Sequence, residues 1–341
     1  MNCSKIVTAF LGIALLAWLG VATAQQTPEA IEARLKSTGE LALIGESQRI
    51  DMKFAREGKF AELDALAETY TREHSRFPDG RSKLESLFGV VRFYTNIDMP
   101  VEEFAPQLEY QQKAWRAVNP RSALAAVSEA HVWNKYAWRL RGGGYADTVS
   151  KEGWKGFEEY IAKAEKVLLD SKDYADSLPL WYEEMISVQL TRSRTEMDRY
   201  YAEGIKKFPW YFQLHFSALT ARLPQWGASV AETDKFITDI ATKEGDPMYA
   251  RLYWAYAGQA GLADLFKDSR AKWPRMKKGF QALLKDTQND VWTANNYARF
   301  ACMAEDKDAF RQAEKIIDGA VDGWAWSGST SYPLCRKLYG R

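Results

Sequence analysis

Histidine and cysteine are scarce in this chain, three of each among 341 residues. His74, His131 and His215 lie far apart, with no H-E-x-x-H pair and no carboxylate at ligand spacing, which argues against a metal site or a histidine-based triad. Runs of alternating β-branched residues between hairpin turns are missing, which argues against a fold built on sheets. After the first 24 residues no apolar run approaches the roughly 20 residues a membrane span needs. Neither sign of charge dominates, with 46 basic against 45 acidic side chains. Such a balance makes no electrostatic case for nucleic acid or for an anionic membrane. The expectation is therefore a chain without cofactor, metal or nucleic acid.

What is present begins at the N-terminus. A single positive charge at Lys5 precedes an apolar run from Ile6 to Val21, and Ala22-Thr23-Ala24 supplies small residues in an A-x-A arrangement. This is the layout of a secretory signal peptide cleaved between Ala24 and Gln25. The expected location is periplasmic or secreted, with no membrane association after cleavage. Lys5 is the only charge removed, so the mature chain is balanced. Cys302 and Cys335 remain after cleavage. In an oxidising compartment they form one bridge or stay as buried thiols, and the bridge is slightly favoured.

Helical spacing recurs from end to end. Phe60, Leu63, Ala67 and Tyr70 share one helical face, as do Leu84, Leu87, Phe88 and Val91, and Trp154, Phe157, Ile161, Ala164 and Leu168. Breaks at Gly58, Pro78-Asp79-Gly80, Pro100, Asn119-Pro120, Gly142-Gly143-Gly144, Pro179, Pro209, Pro224, Gly245-Asp246-Pro247 and Gly261 cut the pattern into short helices. Trp181, Tyr201, Gly204 and Pro209 fall at the offsets of a tetratricopeptide repeat. The repeat is degenerate, because Glu184-Met185 replaces its Leu-Gly pair and Met197 its close-packing Ala. Further helix pairs are expected around Gly58 and around Glu305-Asp306. The reading is an all-α fold, a right-handed tetratricopeptide-like solenoid of antiparallel helix pairs. Its divisions are residues 1–24 as signal peptide, 25–45 as an N-terminal extension, 46–320 as the helical-repeat domain and 321–341 as a C-terminal tail.

From Ala137 onward the text carries a resemblance. The blocks AWRLRGGGYADTVSKEGWKGFEEYIAKAEKVL, FPWYFQLHFSALTARLPQWGAS, YARLYWAYAG and NNYARFACMAEDKDAF resemble those of a bacterial family described as domain of unknown function 4034. The resemblance extends over about residues 50 to 320, and Leu223-Pro224-Gln225-Trp226-Gly227 is its most distinctive piece. Ala228 stands where the family pattern expects glycine. The resemblance implies an exported or periplasmic helical-repeat protein and carries over no catalytic residue.

Candidate chemistry is sparse. Gly142-Gly143-Gly144 lacks the preceding strand and the following Lys-Ser/Thr of a phosphate loop, so an interhelical turn after Arg139 and Arg141 is the better account. Glu46-Ser47 and Glu85-Ser86 each place a glutamate before serine, as some cell-wall lyases do, but without the glycine-rich stretch of that active site. The stronger signal is an excess of rings beside arginines. Tyr249, Tyr253, Trp254 and Tyr256 point in several helical directions, and one buried stripe cannot take them all. Aromatic and arginine side chains are enriched where partners bind. The expected partner face comprises Arg222, Trp226, Arg251, Tyr253, Trp254 and Asn296, with Arg222 and Arg251 near Trp226. The function expected is a non-catalytic module that binds a peptide or protein in the cell envelope. The alternative is an envelope enzyme acting on cell-wall polymer.

Overall fold

The computed structural model describes residues 39–92, 97–144, 146–326 and 330–340. The expected signal peptide and its expected cleavage point lie outside the described residues. Those described form sixteen α-helices and no strand. The all-α class expected from the spacing is what the structure shows.

The first helices are α1 (Gly39–Arg56), α2 (Phe60–Arg72), α3 (Lys83–Arg92), α4 (Val101–Val118) and α5 (Ala123–Arg141). The middle of the chain supplies α6 (Lys151–Ala175), α7 (Pro179–Gln189), α8 (Arg194–Lys207), α9 (Gln213–Thr220) and α10 (Val230–Glu244). There follow α11 (Asp246–Gln259), the single turn α12 (Leu265–Asp268), α13 (Trp273–Asp286), α14 (Val291–Met303), α15 (Lys307–Ile317) and α16 (Tyr332–Tyr339). Their starts are fixed by local chemistry. The hydroxyls of Ser122, Ser150, Ser193 and Ser229 and the carboxylates of Asp264, Asp290 and Asp306 accept from amides in the first turn of the following helix. Each satisfies a donor that the helix itself leaves unpaired.

Successive helices pack as pairs, most closely α5 with α6, α7 with α8, α11 with α13 and α14 with α15. Alternate helices also touch: α1 meets α3, α3 meets α5, α5 meets α7, α7 meets α9 and α9 meets α11. These helices therefore make one continuous row. Close approach within a pair is set by small residues. A Cβ on Gly204 of α8 would lie 2.9 Å from the Cβ of Tyr182 on α7, so glycine takes the spacing role that Met197, itself buried, does not.

Two apolar cores meet at α9. The first runs from Ala55 to Ala221 and the second from Leu219 to Cys335. Although tryptophan is absent from the described chain before Trp115, the early helices share the first core, with Phe60 stacked on Trp115 at a centroid distance of 4.7 Å. Asp64 of α2 is buried there and accepts from Ser122 Oγ at 2.6 Å, Asn119 Nδ2 at 2.8 Å and Trp115 Nε1 at 3.1 Å. One carboxylate thus pins the α4–α5 turn to α2.

Two of the expected divisions run through or beside helices of the fold. The division at 45/46 falls inside α1, whose Ile44 and Ala55 are both buried. The C-terminal segment 321–341 carries α16, which packs on α14 and α15, and a disulfide joins Cys335 to Cys302, with Cα atoms 5.8 Å apart.

Candidate functional site

The connection from α2 to α3 is ten residues long, Glu73 to Ser82, where most others in the row need two to five. It folds on itself before it touches anything else. Phe77 N donates to Arg81 O and Gly80 N to Phe77 O, both at 2.9 Å, and Arg76 and Ser82 form an isolated bridge. Asp79 accepts from the Arg81 backbone at 2.9 Å and from its Nε at 2.6 Å. Gly80 has φ +81°, a conformation that side chains disfavour, so the Pro-Asp-Gly order suits the turn.

This loop reaches across the row. Arg76 donates through Nη2 to the main-chain oxygen of Trp210 at 2.8 Å and through Nη1 to that of Gly80 at 2.9 Å. Its guanidinium lies 4.4 Å from the ring centre of Phe212, while that of Arg251, from α11, lies 4.7 Å from the same ring. His74 stacks on Trp210 at 4.2 Å, and the Arg81 guanidinium lies 5.4 Å from the ring centre of Trp292 on α14. A methyl group on Gly80 would come within 3.5 Å of Thr287 and 3.7 Å of Arg251. The loop thus lies against the turn before α9, the middle of α11 and the start of α14.

Beside it, Tyr211 is fully buried and its hydroxyl donates to Glu183 at 2.8 Å and lies 3.2 Å from Glu85. Burial, and then the two carboxylates, push this phenol well above its ordinary range. Burial lowers the guanidinium of Arg76, and lowers that of Arg251 to about 10 with Arg76 adding repulsion. Asp286, Asp290 and Glu244 oppose that effect on Arg251. Both arginines remain cations at neutral pH, held in an acidic and aromatic setting.

Two glutamate–histidine pairs line the same helices. His131 Nδ1 lies 2.8 Å from Glu184, whose other oxygen accepts from Asn134 at 2.6 Å. Burial alone would raise Glu184, but His131 and Asn134 hold it below the usual carboxylate range. His215 bridges Tyr201 Oη at 2.6 Å and Glu244 at 2.7 Å. Burial raises the Tyr201 phenol, so the phenol keeps its proton in this chain of bonds. No group of three or more His, Cys, Asp and Glu converges as metal ligands among the described residues.

The residues singled out from sequence are dispersed. Arg222 donates to Ala218 O and to Asp198 and lies over Phe236. Trp226 packs edge-on against Trp138 at 5.8 Å. Arg251 sits over Phe212, so the expected convergence of Arg222 and Arg251 on Trp226 is corrected. Tyr253 is fully buried and its hydroxyl bonds Asp234, while Asn296 is buried with its amide donating to Trp292 O. Neither presents a surface. The reason is that α11 touches α9, α10 and α13, so it buries several directions, and Tyr249, Tyr253 and Tyr256 are all core. Trp254, half-buried, lies between Phe280 at 6.1 Å and Trp292 at 5.6 Å. Of the six, Arg251 alone contacts the 73–82 loop directly, with Trp254 one ring behind it. Sequence reading missed Arg76, Arg81, Tyr211, Phe212 and Trp292; the available signal was the Pro78-Asp79-Gly80 turn beside two of them.

Residues 48–181 match a family described as Domain of unknown function (DUF4034). The match covers α2 to α6 entire, and it ends well before the Leu223–Gly227 turn that the sequence blocks made most distinctive. No curated protein and no solved structure matches the chain. Among the described residues no helix is long and apolar enough to cross a membrane.

Proposed function

We propose that the chain is a non-catalytic interaction module of the cell envelope, exported by its N-terminal segment, and that the row α3–α5–α7–α9–α11 is the inner face of a tetratricopeptide-like superhelix that takes an extended peptide or protein segment. The observation that carries this reading is the 73–82 loop. A short non-helical segment already lies against the turn before α9, α11 and α14 through arginine–aromatic stacking, a main-chain hydrogen bond and the approach of Gly80 to Arg251, which are the kinds of contact by which a helical array holds a peptide. The Cys302–Cys335 bridge supports an oxidising compartment.

An enzyme acting on cell-wall polymer would draw on the two carboxylates beside Tyr211. The buried phenol fills the space between Glu85 and Glu183, where a glycosidase would need room for the sugar and its water. That supports binding over hydrolysis. The test is crosslinking and pull-down of the exported protein from its own envelope fraction, with Arg251→Ala and Trp226→Ala in parallel. Capture lost with Arg251→Ala and kept with Trp226→Ala supports the row as the binding face. Capture that survives Arg251→Ala in a protein of unchanged helicity refutes it.

A further inference from the structure

The identity of the groups that seat the 73–82 loop says what else could be seated there. Two guanidiniums of the loop rest on rings of the array, Arg76 on Phe212 and Arg81 on Trp292. Arg76 also donates to a main-chain carbonyl inside the α8–α9 connection, that of Trp210. The surrounding charge is acidic: Glu85 and Glu183 flank Tyr211, and Glu244, Asp286 and Asp290 surround Arg251. Such a setting favours cations with planar, stacking heads, which is the chemistry of arginine and not of lysine. The apolar contribution is Phe77, buried within the loop, under the ammonium of Lys83.

The loop folds locally, around the buried Phe77 and Asp79. Its internal hydrogen bonds, Phe77 to Arg81 and Gly80 to Phe77, close within five residues. It reaches the turn before α9, α11 and α14 through one hydrogen bond, two stacked guanidiniums, one stacked imidazole and the approach of Gly80 to Arg251. A segment with the same arginine spacing and one further contact can therefore replace it, since both compete for the same rings.

Resting on the reading above, we propose that the partner segment is an extended one carrying two arginines on either side of a turn, and that residues 73–82 occupy its place on the inner row when it is absent. Arg76 and Arg81 mark the two positions that such a segment fills, on Phe212 and Trp292. The loop is thus a competitor built into the chain, and its release accompanies binding.

The probe is a synthetic peptide of residues 73–82 with blocked ends, titrated into the full exported chain and into the Arg76→Ala/Arg81→Ala variant, with tryptophan emission as the readout. The variant should bind the peptide saturably. The unaltered chain should bind about tenfold more weakly or worse, because its apparent affinity is reduced by the fraction in which the loop stands aside. A control peptide lacking both arginines should bind neither. Absence of peptide binding to a variant that melts cooperatively, or equal binding of the control peptide, overturns the proposal. If the variant does not fold, hydrogen exchange on the unaltered chain decides. Excess peptide should speed exchange of the Phe77 and Gly80 amides, and unchanged exchange overturns the proposal. Loss of envelope capture in Arg251→Ala together with no peptide binding would leave the inner row as the binding face and remove only the arginine-bearing partner.

Discussion

The guanidinium of Arg76 donates to the main-chain oxygen of Trp210 at 2.8 Å, across 134 positions of sequence. It joins the connection between the second and third helices to the turn that opens α9, and Phe212 lies beneath it at 4.4 Å. Nothing else in the loop is held by so directional a bond to the distant half of the chain.

Arg76→Ala should therefore free the loop while leaving the helices in place. A hydrogen bond from a charged donor contributes about 1.5–3 kcal/mol, and burial of this guanidinium, which lowers its pKa, offsets part of that. The expected loss is about 1–2 kcal/mol by denaturant unfolding. Tryptic cleavage after Arg81 should accelerate markedly. Unchanged cleavage would mean that Asp79 and Gly80 alone hold the loop.

Asp51 sets the pH dependence of the first core. It is buried on α1, its Oδ2 has no hydrogen-bond partner, and burial raises its carboxyl to about 7. A folded pKa above the unfolded value near 4 means that folding favours the protonated form. Its contribution is full below about pH 4 and is lost as pH rises through 7. Asp51→Asn keeps the shape and removes the charge, so it should stabilise the chain at pH 8 by up to about 4 kcal/mol and flatten the slope between pH 4 and 8. Urea midpoints at several pH values measure both. A variant as pH-sensitive as the parent would assign the slope to another carboxylate.

Cys302 and Cys335 tether α16 to α14 over a separation of 33 residues. The chain-entropy account gives about 4 kcal/mol for a loop of that length. Cys335→Ser should lower the melting temperature and expose Tyr332 and Tyr339, which pack against Phe310. Melts of the parent with and without reductant should reproduce the same loss. A reductant-insensitive melt would show that packing alone holds the C-terminal helix.

How much of this was legible depends on the range of the physics involved. The helix breaks at Gly58 and after Arg141, and the pair around Glu305-Asp306, follow from local breakers and caps, and they are where the sequence places them. The rings of α11 were misjudged because the pattern around one helix cannot say how many neighbours surround it. Tyr253, expected on a partner face, is buried in the fold, where α10 covers it. The loop was visible as a Pro-Asp-Gly turn, yet no local rule connects Arg76 to Trp210. Glu85 and Glu183 were likewise unlinked until Tyr211 came between them.

The closest approach between paired helices makes the sharpest prediction. A Cβ on Gly279 of α13 would stand 2.2 Å from the main-chain oxygen of Asp246 and 2.7 Å from the Cβ of Ala250, both on α11. Backbone is the obstacle, so no rotamer change relieves it, and α11 and α13 must separate. Gly258, also helical, has nothing within 4 Å of its would-be Cβ. Alanine at 258 gains helix propensity and should stabilise by about 0.5–1 kcal/mol. Alanine at 279 gains the same propensity but overpacks the core, and should cost about 1–3 kcal/mol or more. Because α11 carries Arg251, displacement at Gly279 should also move that guanidinium off Phe212, which a change in tryptic access to residues 73–82 would report. Equal stability of the two alanine variants would show that α11 and α13 do not pack at the distance described.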